Sequence, residues 1–116
     1  MFGIGQHTKV YIASEPLDFR KQIDGLSLYV QETLSLDPLS AHVFVFRNRA
    51  RDKLKLLYWD SNGFCLLYKR LERGRFQWPS TEGLVVECQL REIQWLLEGL
   101  NIDTLQARKV INFKRI

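Results

Sequence analysis

The sequence predicts an α+β fold: an antiparallel β-meander of about four to five strands, with two main helices packed on one face. Two observations support this class. Apolar residues follow a period of two through the middle of the chain, and they follow a helical period on either side of it. Segments rich in turn-forming residues separate the predicted strands at short intervals.

The domain organisation follows from length and composition. With 116 residues, 46% of them hydrophobic and 26% charged, the chain has the size and composition of a protein with one hydrophobic core. We therefore assign residues 1–103 to a single α+β domain. Residues 104–116 contain four basic residues and no acidic residue, and they lack a strong helical stripe, which predicts a flexible basic C-terminal tail.

The N-terminal part predicts a strand followed by a helix. Residues 9–13 form the first predicted strand, and Pro16 and Asp18 are typical of a helix start, with Asp18 as the candidate N-cap. The helix is predicted to continue to about Leu34. Its apolar residues recur at steps of three and four, as expected of a helix with one buried face: Phe19, Ile23, Leu26, Val30 and Leu34.

The central part predicts the meander. Residues 42–47 are apolar on both faces, which is typical of a covered strand, and the segment 47–52 is the predicted hairpin tip. Asn62-Gly63 marks the next hairpin, and Gly74 marks a third turn. The remaining predicted strands are residues 53–59, 64–71 and 75–78. A further strand is predicted at 84–87 and a second helix at 89–98, with Gly99 as its C-cap.

Positive charge is concentrated in the meander. The formal net charge of the chain is +4, yet residues 47–75 hold nine basic residues against three acidic ones, a local net charge of +6. Such a field predicts a surface that binds an anionic partner. The candidate nucleic-acid-binding residues are Arg47, Arg49, Arg51, Lys53, Lys55, Lys69, Arg70, Arg73 and Arg75.

The spacing of three arginines favours DNA or RNA. In an extended strand, Arg47, Arg49 and Arg51 would point to one side at intervals of about 6.6 Å, close to the spacing of phosphates along one strand. The alternative is a solvated outer face whose basic residues protect sheet edges. Four aromatic residues near these arginines could stack on bases, although aromatic residues on sheets more often belong to a core: Tyr58, Trp59, Tyr68 and Trp78.

Residues with catalytic chemistry are sparse. Neither His7 nor His42 has metal-ligand spacing to another residue, and Cys65 and Cys88 fit buried packing better than a nucleophile or a disulfide. Three carboxylates, Asp24, Asp60 and Glu98, would have to meet in space to hold a metal. We expect no enzyme activity, no metal and no cofactor.

A chain without an apolar run long enough for a membrane span and without a signal peptide is expected to be cytoplasmic.

Long motifs in the chain resemble one family. FVFRNR, LKLLYWD-x-x-G, YKRLERGRF-x-W and LLEGL lie within residues 10–102, and together they resemble the TnpB-type (Orf2-like) accessory proteins of insertion sequence family sixty-six. The family is distinct from the RNA-guided nuclease that shares the letters TnpB. Gln22 departs from its pattern, which has glycine after the Arg-Lys pair. The motif residues singled out are Asp18, Arg20, Lys21, Trp59, Asp60, Gly63, Gly74 and Trp78.

The resemblance implies a role rather than a reaction. Such proteins are encoded in a bacterial mobile element beside a separate DDE transposase and a second accessory protein, and they support transposition without a known cutting activity. Two hypotheses follow: the basic surface binds DNA, or it docks an acidic patch on the transposase or the second accessory protein. A metal-dependent nuclease is a third, minor hypothesis, and exposed sheet edges leave homo-oligomerisation open.

Overall fold

The computed structural model describes residues 5, 7–98 and 114–115, the last two by their backbone alone. The described chain contains two helices and a sheet of five strands, extended by a sixth strand of two residues. In chain order the elements are β1 (Lys9–Ala13), α1 (Ile23–Glu32), β2 (Val43–Arg47), β3 (Lys53–Asp60), β4 (Gly63–Arg70), β5 (Val85–Gln89), α2 (Leu90–Leu97) and β6 (Lys114–Arg115). This confirms the predicted α+β class.

The sheet is mixed, although most of its pairs are antiparallel. Its strand order is β4-β3-β2-β1-β5-β6. The strands β2, β3 and β4 form the predicted antiparallel meander, but β1 and β2 lie side by side and parallel, with Val10 opposite Val43. A parallel pair needs a long crossover connection, which the segment containing α1 supplies. The prediction of a purely antiparallel meander is wrong at this pair.

The two helices pack on opposite faces of the sheet, so the prediction that both lie on one face is wrong. Leu26 and Val30 of α1 join one buried cluster with Phe44. Ile93 and Leu96 of α2 join a second cluster. It contains Val43 and Val45, the alternate residues of β2, whose side chains point to the opposite face of the sheet. We call these two sides the α1 face and the α2 face. The physical reason is visible in β2, where residues 43–46 are all 0% exposed and the sheet must therefore be covered on both sides.

The segment 75–78 is not a strand, contrary to prediction. It crosses the α2 face as an irregular segment: Phe76 is fully buried and donates its backbone N–H to the Arg51 carbonyl at 2.7 Å. The indole Nε1–H of Trp78 donates to the Ala13 carbonyl at 2.7 Å. These bonds attach the segment over the sheet instead of beside β4, so β4 is left as an edge strand.

The first helix begins later than predicted. It starts at Ile23, with Gln22 at the N-cap position, and Asp18 is not its cap. The Asp18 carboxylate instead accepts the backbone N–H of Arg20 at 2.9 Å. The second helix is close to its prediction, and its Glu92 carboxylate accepts the Gln89 backbone N–H at 3.4 Å.

The C-terminal end is described only in part. Lys114 and Arg115, which belong to the predicted flexible tail, form β6 and pair with Glu87 and Val86 of β5. The rest of that tail, like the predicted C-cap Gly99, lies outside the described residues.

Candidate nucleic-acid interface

The hairpin tip between β2 and β3 is a tight turn rather than an extended arginine strand. Asn48 closes it: its backbone N–H donates to the Lys53 carbonyl at 3.2 Å, and its side-chain carbonyl accepts the Lys53 N–H at 3.0 Å. Arg51 donates its backbone N–H to the Asn48 carbonyl and has φ = 61°. Because the backbone folds back here, the regular 6.6 Å spacing predicted for Arg47, Arg49 and Arg51 is wrong.

A second loop, residues 71–76, is hydrogen-bonded to this turn. Leu71 donates its backbone N–H to the Asp52 carbonyl at 2.8 Å, and Phe76 donates to the Arg51 carbonyl at 2.7 Å. Gly74 has φ = 77°, a conformation that L side chains rarely adopt, so this turn requires glycine. The two loops together carry five arginines, which we call the arginine tip: Arg47, Arg49, Arg51, Arg73 and Arg75.

The acidic residues of the two loops already have partners. Glu72 forms an ion pair with Arg70 at 2.9 Å, and Asp52 accepts the side-chain N–H of Asn48 at 2.7 Å. Arg49, Arg73 and Arg75 are exposed, and none of them forms an ion pair with another described residue. The tip therefore presents positive charge that the neighbouring carboxylates do not neutralise.

Arg47 differs from the other arginines of the tip because it is half-buried. Its Nη2 donates to the Ser14 carbonyl at 3.1 Å, and its Cζ lies 5.9 Å from the centre of the Trp78 ring. Burial lowers the pKa of the Arg47 guanidinium, and the positive charge of Arg51 lowers it further. Arg47 therefore holds the end of β1 to the tip as well as contributing charge.

Two of the predicted DNA-binding lysines have structural roles. Lys55 is 1% exposed, and its Nζ donates to the carbonyls of Phe19 and Lys21 at 2.9 and 2.7 Å. Lys69 donates to the Leu97 carbonyl at the end of α2, at 2.7 Å. Lys55 is inaccessible to a partner in this structure, because strand alternation turns it toward the segment that precedes α1.

The other two predicted cations face each other across the hairpin. Lys53 of β3 lies directly opposite Arg70 of β4, so two like charges share one face at the end of the sheet nearest the tip. Such a pair is unfavourable unless an anion lies nearby, and Glu72 partly supplies that anion by pairing with Arg70.

The aromatic residues are mostly structural. Tyr58 is 1% exposed, and Trp59 packs edge-to-face on Phe64 with ring centres 5.0 Å apart. Trp78 packs against the core of the α2 face. Tyr68, which is 53% exposed, is the most exposed of the four predicted stacking residues.

The remaining motif residues shape two turns. The Asp18 carboxylate pairs with the Arg20 guanidinium at 2.6 Å, and this pairing lowers the pKa of Asp18 to about 2. The Lys21 carbonyl accepts Lys55, as described above. At the second hairpin, Asp60 lies opposite Gly63, so the turn residues are 61 and 62 and the glycine begins β4. These motif residues therefore have structural explanations in the described chain.

The groups with catalytic chemistry are dispersed. Asp24 lies in α1 and Glu98 follows α2, so these two carboxylates belong to opposite faces of the sheet. No group of three or more His, Cys, Asp or Glu residues in the described part of the chain could hold a metal ion. His42 accepts the Lys9 backbone N–H at its Nδ1, at 3.0 Å, and burial raises the pKa of the Cys88 thiol.

Sequence reasoning missed a groove beside the arginine tip. It has a volume of about 410 Å³ and is lined by Ser14, Arg47, Arg51, Trp78 and the segment 79–81. Ser14 and Thr81 lie 67 positions apart, and no periodic pattern links them. Only the attachment of the 75–78 segment over the sheet brings them together.

None of the helices that the structure describes has the length and apolarity to cross a membrane.

Comparison with known proteins defines the class. The fold and the basic tip are those of a small α+β protein with a candidate surface for anions. The family model described as IS66 Orf2 like protein matches residues 8–107. The chain therefore belongs to the IS66 Orf2-like family of insertion-sequence accessory proteins, as its motifs predicted.

Two curated relatives come from Sinorhizobium fredii (strain NBRC 101917 / NGR234). The uncharacterized protein y4hO is 43% identical over 101 residues, which cover 87% of this chain and 88% of that protein. The uncharacterized protein y4jC is 32% identical over 110 residues, which cover 95% of this chain and 94% of that protein. No solved structure matches the chain.

Proposed function

We propose that this protein is a non-catalytic accessory protein of DNA transposition, and that it binds the phosphates of DNA through the arginine tip. The observation that carries the proposal is the joining of two separate loops, by the Leu71 and Phe76 backbone hydrogen bonds, into one surface with five arginines. Family membership supplies the biological context, an insertion sequence. The protein would act in the bacterial cytoplasm beside the transposase and the second accessory protein.

Charge and chemistry favour binding over catalysis. The exposed arginines of the tip, Arg49, Arg73 and Arg75, suit contacts to phosphate, because a guanidinium presents several donors in a planar fork. In the described chain His42 accepts a backbone hydrogen bond, and Cys65 and Cys88 pack in or against the core of the α2 face. A surface of this kind predicts binding that depends strongly on salt and weakly on base sequence.

The test is fluorescence anisotropy of labelled element-end DNA, measured against the purified full chain over a salt series. The triple variant Arg49→Gln, Arg73→Gln, Arg75→Gln removes three exposed cations that make no recorded ion pair in the described chain. If each contacts one phosphate, the slope of log affinity against log salt falls by about 0.9 per residue.

A control variant with the same change in net charge removes three positive charges from elsewhere on the surface, of which Lys9 is ion-paired with Glu87 at 3.8 Å: Lys9→Gln, Lys21→Gln, Arg91→Gln. This control should keep the salt slope of the wild type. Equal loss in the two triple variants would mean that only net charge matters, and the arginine tip would then not be the binding surface.

The same experiment distinguishes DNA binding from the alternative, in which the protein is an adaptor that docks an acidic patch on the transposase or the second accessory protein. If the wild-type protein does not bind DNA even at low salt, the DNA proposal fails for the isolated chain. The same pair of triple variants would then be tested in a pull-down with the purified transposase, where selective loss with the tip variant supports docking to an acidic protein surface.

A further inference from the structure

The groove beside the arginine tip contains polar atoms that the protein itself does not satisfy. Two lining residues each carry a buried polar atom without a hydrogen-bond partner: Arg47 at Nε and Ser14 at Oγ. Nearly all buried polar groups in proteins have a partner, and an exception often marks a site for a missing water, ion or ligand. Among the described residues three such atoms occur, and two of them belong to this groove; the third is Oε2 of Glu92 in α2.

The lining of the groove is positively charged. It includes two arginines and no carboxylate. The charge of Arg51 disfavours the charged form of Arg47, whereas Glu15 favours it. An oxyanion between the two guanidinium groups would reduce their mutual repulsion, and each planar guanidinium can donate two hydrogen bonds to a phosphate.

The backbone fixes Arg51 in an uncommon conformation at the edge of this groove. Its φ of 61° lies in the left-handed region, where asparagine or glycine is more usual than arginine. Its N–H and carbonyl are both hydrogen-bonded, to Asn48 and Phe76. Three other described non-glycine residues, Ser35, Ala41 and Ser61, also have positive φ, so the conformation fixes where the Arg51 side chain starts and the charge of the groove carries the argument for binding.

We propose that this groove binds one phosphate group of a DNA strand, held by the guanidinium groups of Arg47 and Arg51 and by the Ser14 hydroxyl. DNA as the source of the phosphate rests on the proposed function, whereas the anion chemistry rests on the groove alone. The volume of about 410 Å³ falls within the usual range of small-ligand sites, about 300–1,000 Å³.

Binding requires a small movement of the groove wall. Arg47 Nε and Ser14 Oγ have almost no solvent-accessible surface, so an oxygen can reach them only if the residues that cover them shift; the segment 79–81 is one wall of the groove. The Thr81 hydroxyl, which accepts the Gly83 N–H at 3.1 Å, lies in that wall. Phosphate binding should therefore move the amide resonances of this segment together with the Arg47 Nε–H resonance.

The experiment is a ¹⁵N NMR titration of the full chain, first with inorganic phosphate and then with a short DNA duplex. The Arg47 Nε–H and the Trp78 indole N–H report on the groove. Arg51→Asn should weaken phosphate binding at least tenfold without lowering Tm, because asparagine adopts the left-handed region readily. Arg91→Gln removes the same charge from α2 and should leave phosphate affinity unchanged.

Ser14→Ala is the second variant, since it removes a hydroxyl that makes no hydrogen bond in the structure. It should also weaken phosphate binding while the protein stays folded. If Arg51→Asn and Ser14→Ala both lose phosphate binding, the anion site is supported, whether or not DNA binds.

The outcomes separate this proposal from the proposed function. If DNA binds but the Arg47 Nε–H resonance stays in place and Arg51→Asn keeps full phosphate affinity, the groove proposal is overturned and the DNA function stands. If phosphate shifts Arg47 but DNA does not bind, the anion site stands and DNA is excluded as its source. Equal losses in Arg51→Asn and Arg91→Gln would also overturn the groove, because they would indicate a general charge effect.

Discussion

At the scale of single residues, chemical type does not separate a structural cation from a binding one. Lys53 and Lys55 are two positions apart on the same face of β3, and both belong to the basic run. Lys53 is half-buried at the end of the strand, whereas Lys55 is buried between the rings of Phe19 and Tyr68. The difference in burial between the two lysines arises from the segment before α1, because two backbone carbonyls of that segment point at Lys55.

Replacement of Lys55 tests this structural role. Lys55→Met leaves the carbonyls of Phe19 and Lys21 without their donor, so we expect the free energy of unfolding to fall by about 1–3 kcal/mol. Urea denaturation at pH 7 measures the change. Lys53→Met is the matched control on the same strand and face and should change stability by less than about 0.5 kcal/mol. Similar losses in the two variants would contradict the structural role of Lys55.

At the scale of elements, the first strand was easier to predict than the start of the first helix. The bounds of β1 agree with the prediction, because Lys9 is followed by four buried apolar residues and then by a turn. The N-cap of α1 was predicted four residues too early, because Asp18 has the chemistry of an N-cap but accepts hydrogen bonds from Arg20. Capping residues also favour turns, and sequence alone does not show which of the two forms.

An unprotonated histidine joins the start of β1 to the residue that precedes β2. The Nδ1 of His42, just before β2, accepts the backbone N–H of Lys9 in β1. Burial and the nearby Lys9 charge lower the pKa of His42 below 6.5, while Glu87 acts in the opposite direction. The Tyr11 ring also contacts it, with ring centres 5.8 Å apart.

This arrangement predicts a loss of stability in mild acid. Because the folded-state pKa of His42 is lowered, the unfolded chain takes up the proton first, so stability is full above about pH 6.5 and falls as the pH is lowered through and below that value. Denaturation midpoints between pH 7.5 and 5 measure the effect. His42→Asn should flatten the profile, whereas His7→Asn should retain it. A profile that His42→Asn leaves unchanged would assign the pH response to other groups.

At the scale of the whole molecule, one sheet separates two cores. Val30 of α1 and Ile93 of α2 are both buried, but they belong to different clusters on opposite faces. The predicted arrangement on one face would have placed the two helices in the same core. Strand β2 contributes alternate residues to each cluster, which explains why residues 43–46 are all apolar.

A double-mutant cycle tests this separation. Val30→Ala should cost about 2 kcal/mol and Ile93→Val about 1 kcal/mol, from lost burial and the small cavities that remain. Since the two sites share no contact, the double variant should show the sum of the two losses to within about 0.5 kcal/mol. The measurement is urea denaturation of all four proteins. A larger coupling energy would indicate that the helices share one core.

The sequence by itself determined the features that depend on local pattern: the α+β class, the β2-β3-β4 meander, the second helix, the basic run and, through its long motifs, the family. Tertiary structure decided which side of the sheet each helix covers and that β2 lies parallel to β1. It also decided that segment 75–78 covers the sheet, and that Lys55 and Lys69 bind carbonyls while Arg47 and Arg51 line a groove with Ser14. The physical reason is that these outcomes arise from contacts between residues far apart in the chain, whereas periodicity and turn chemistry report only on near neighbours.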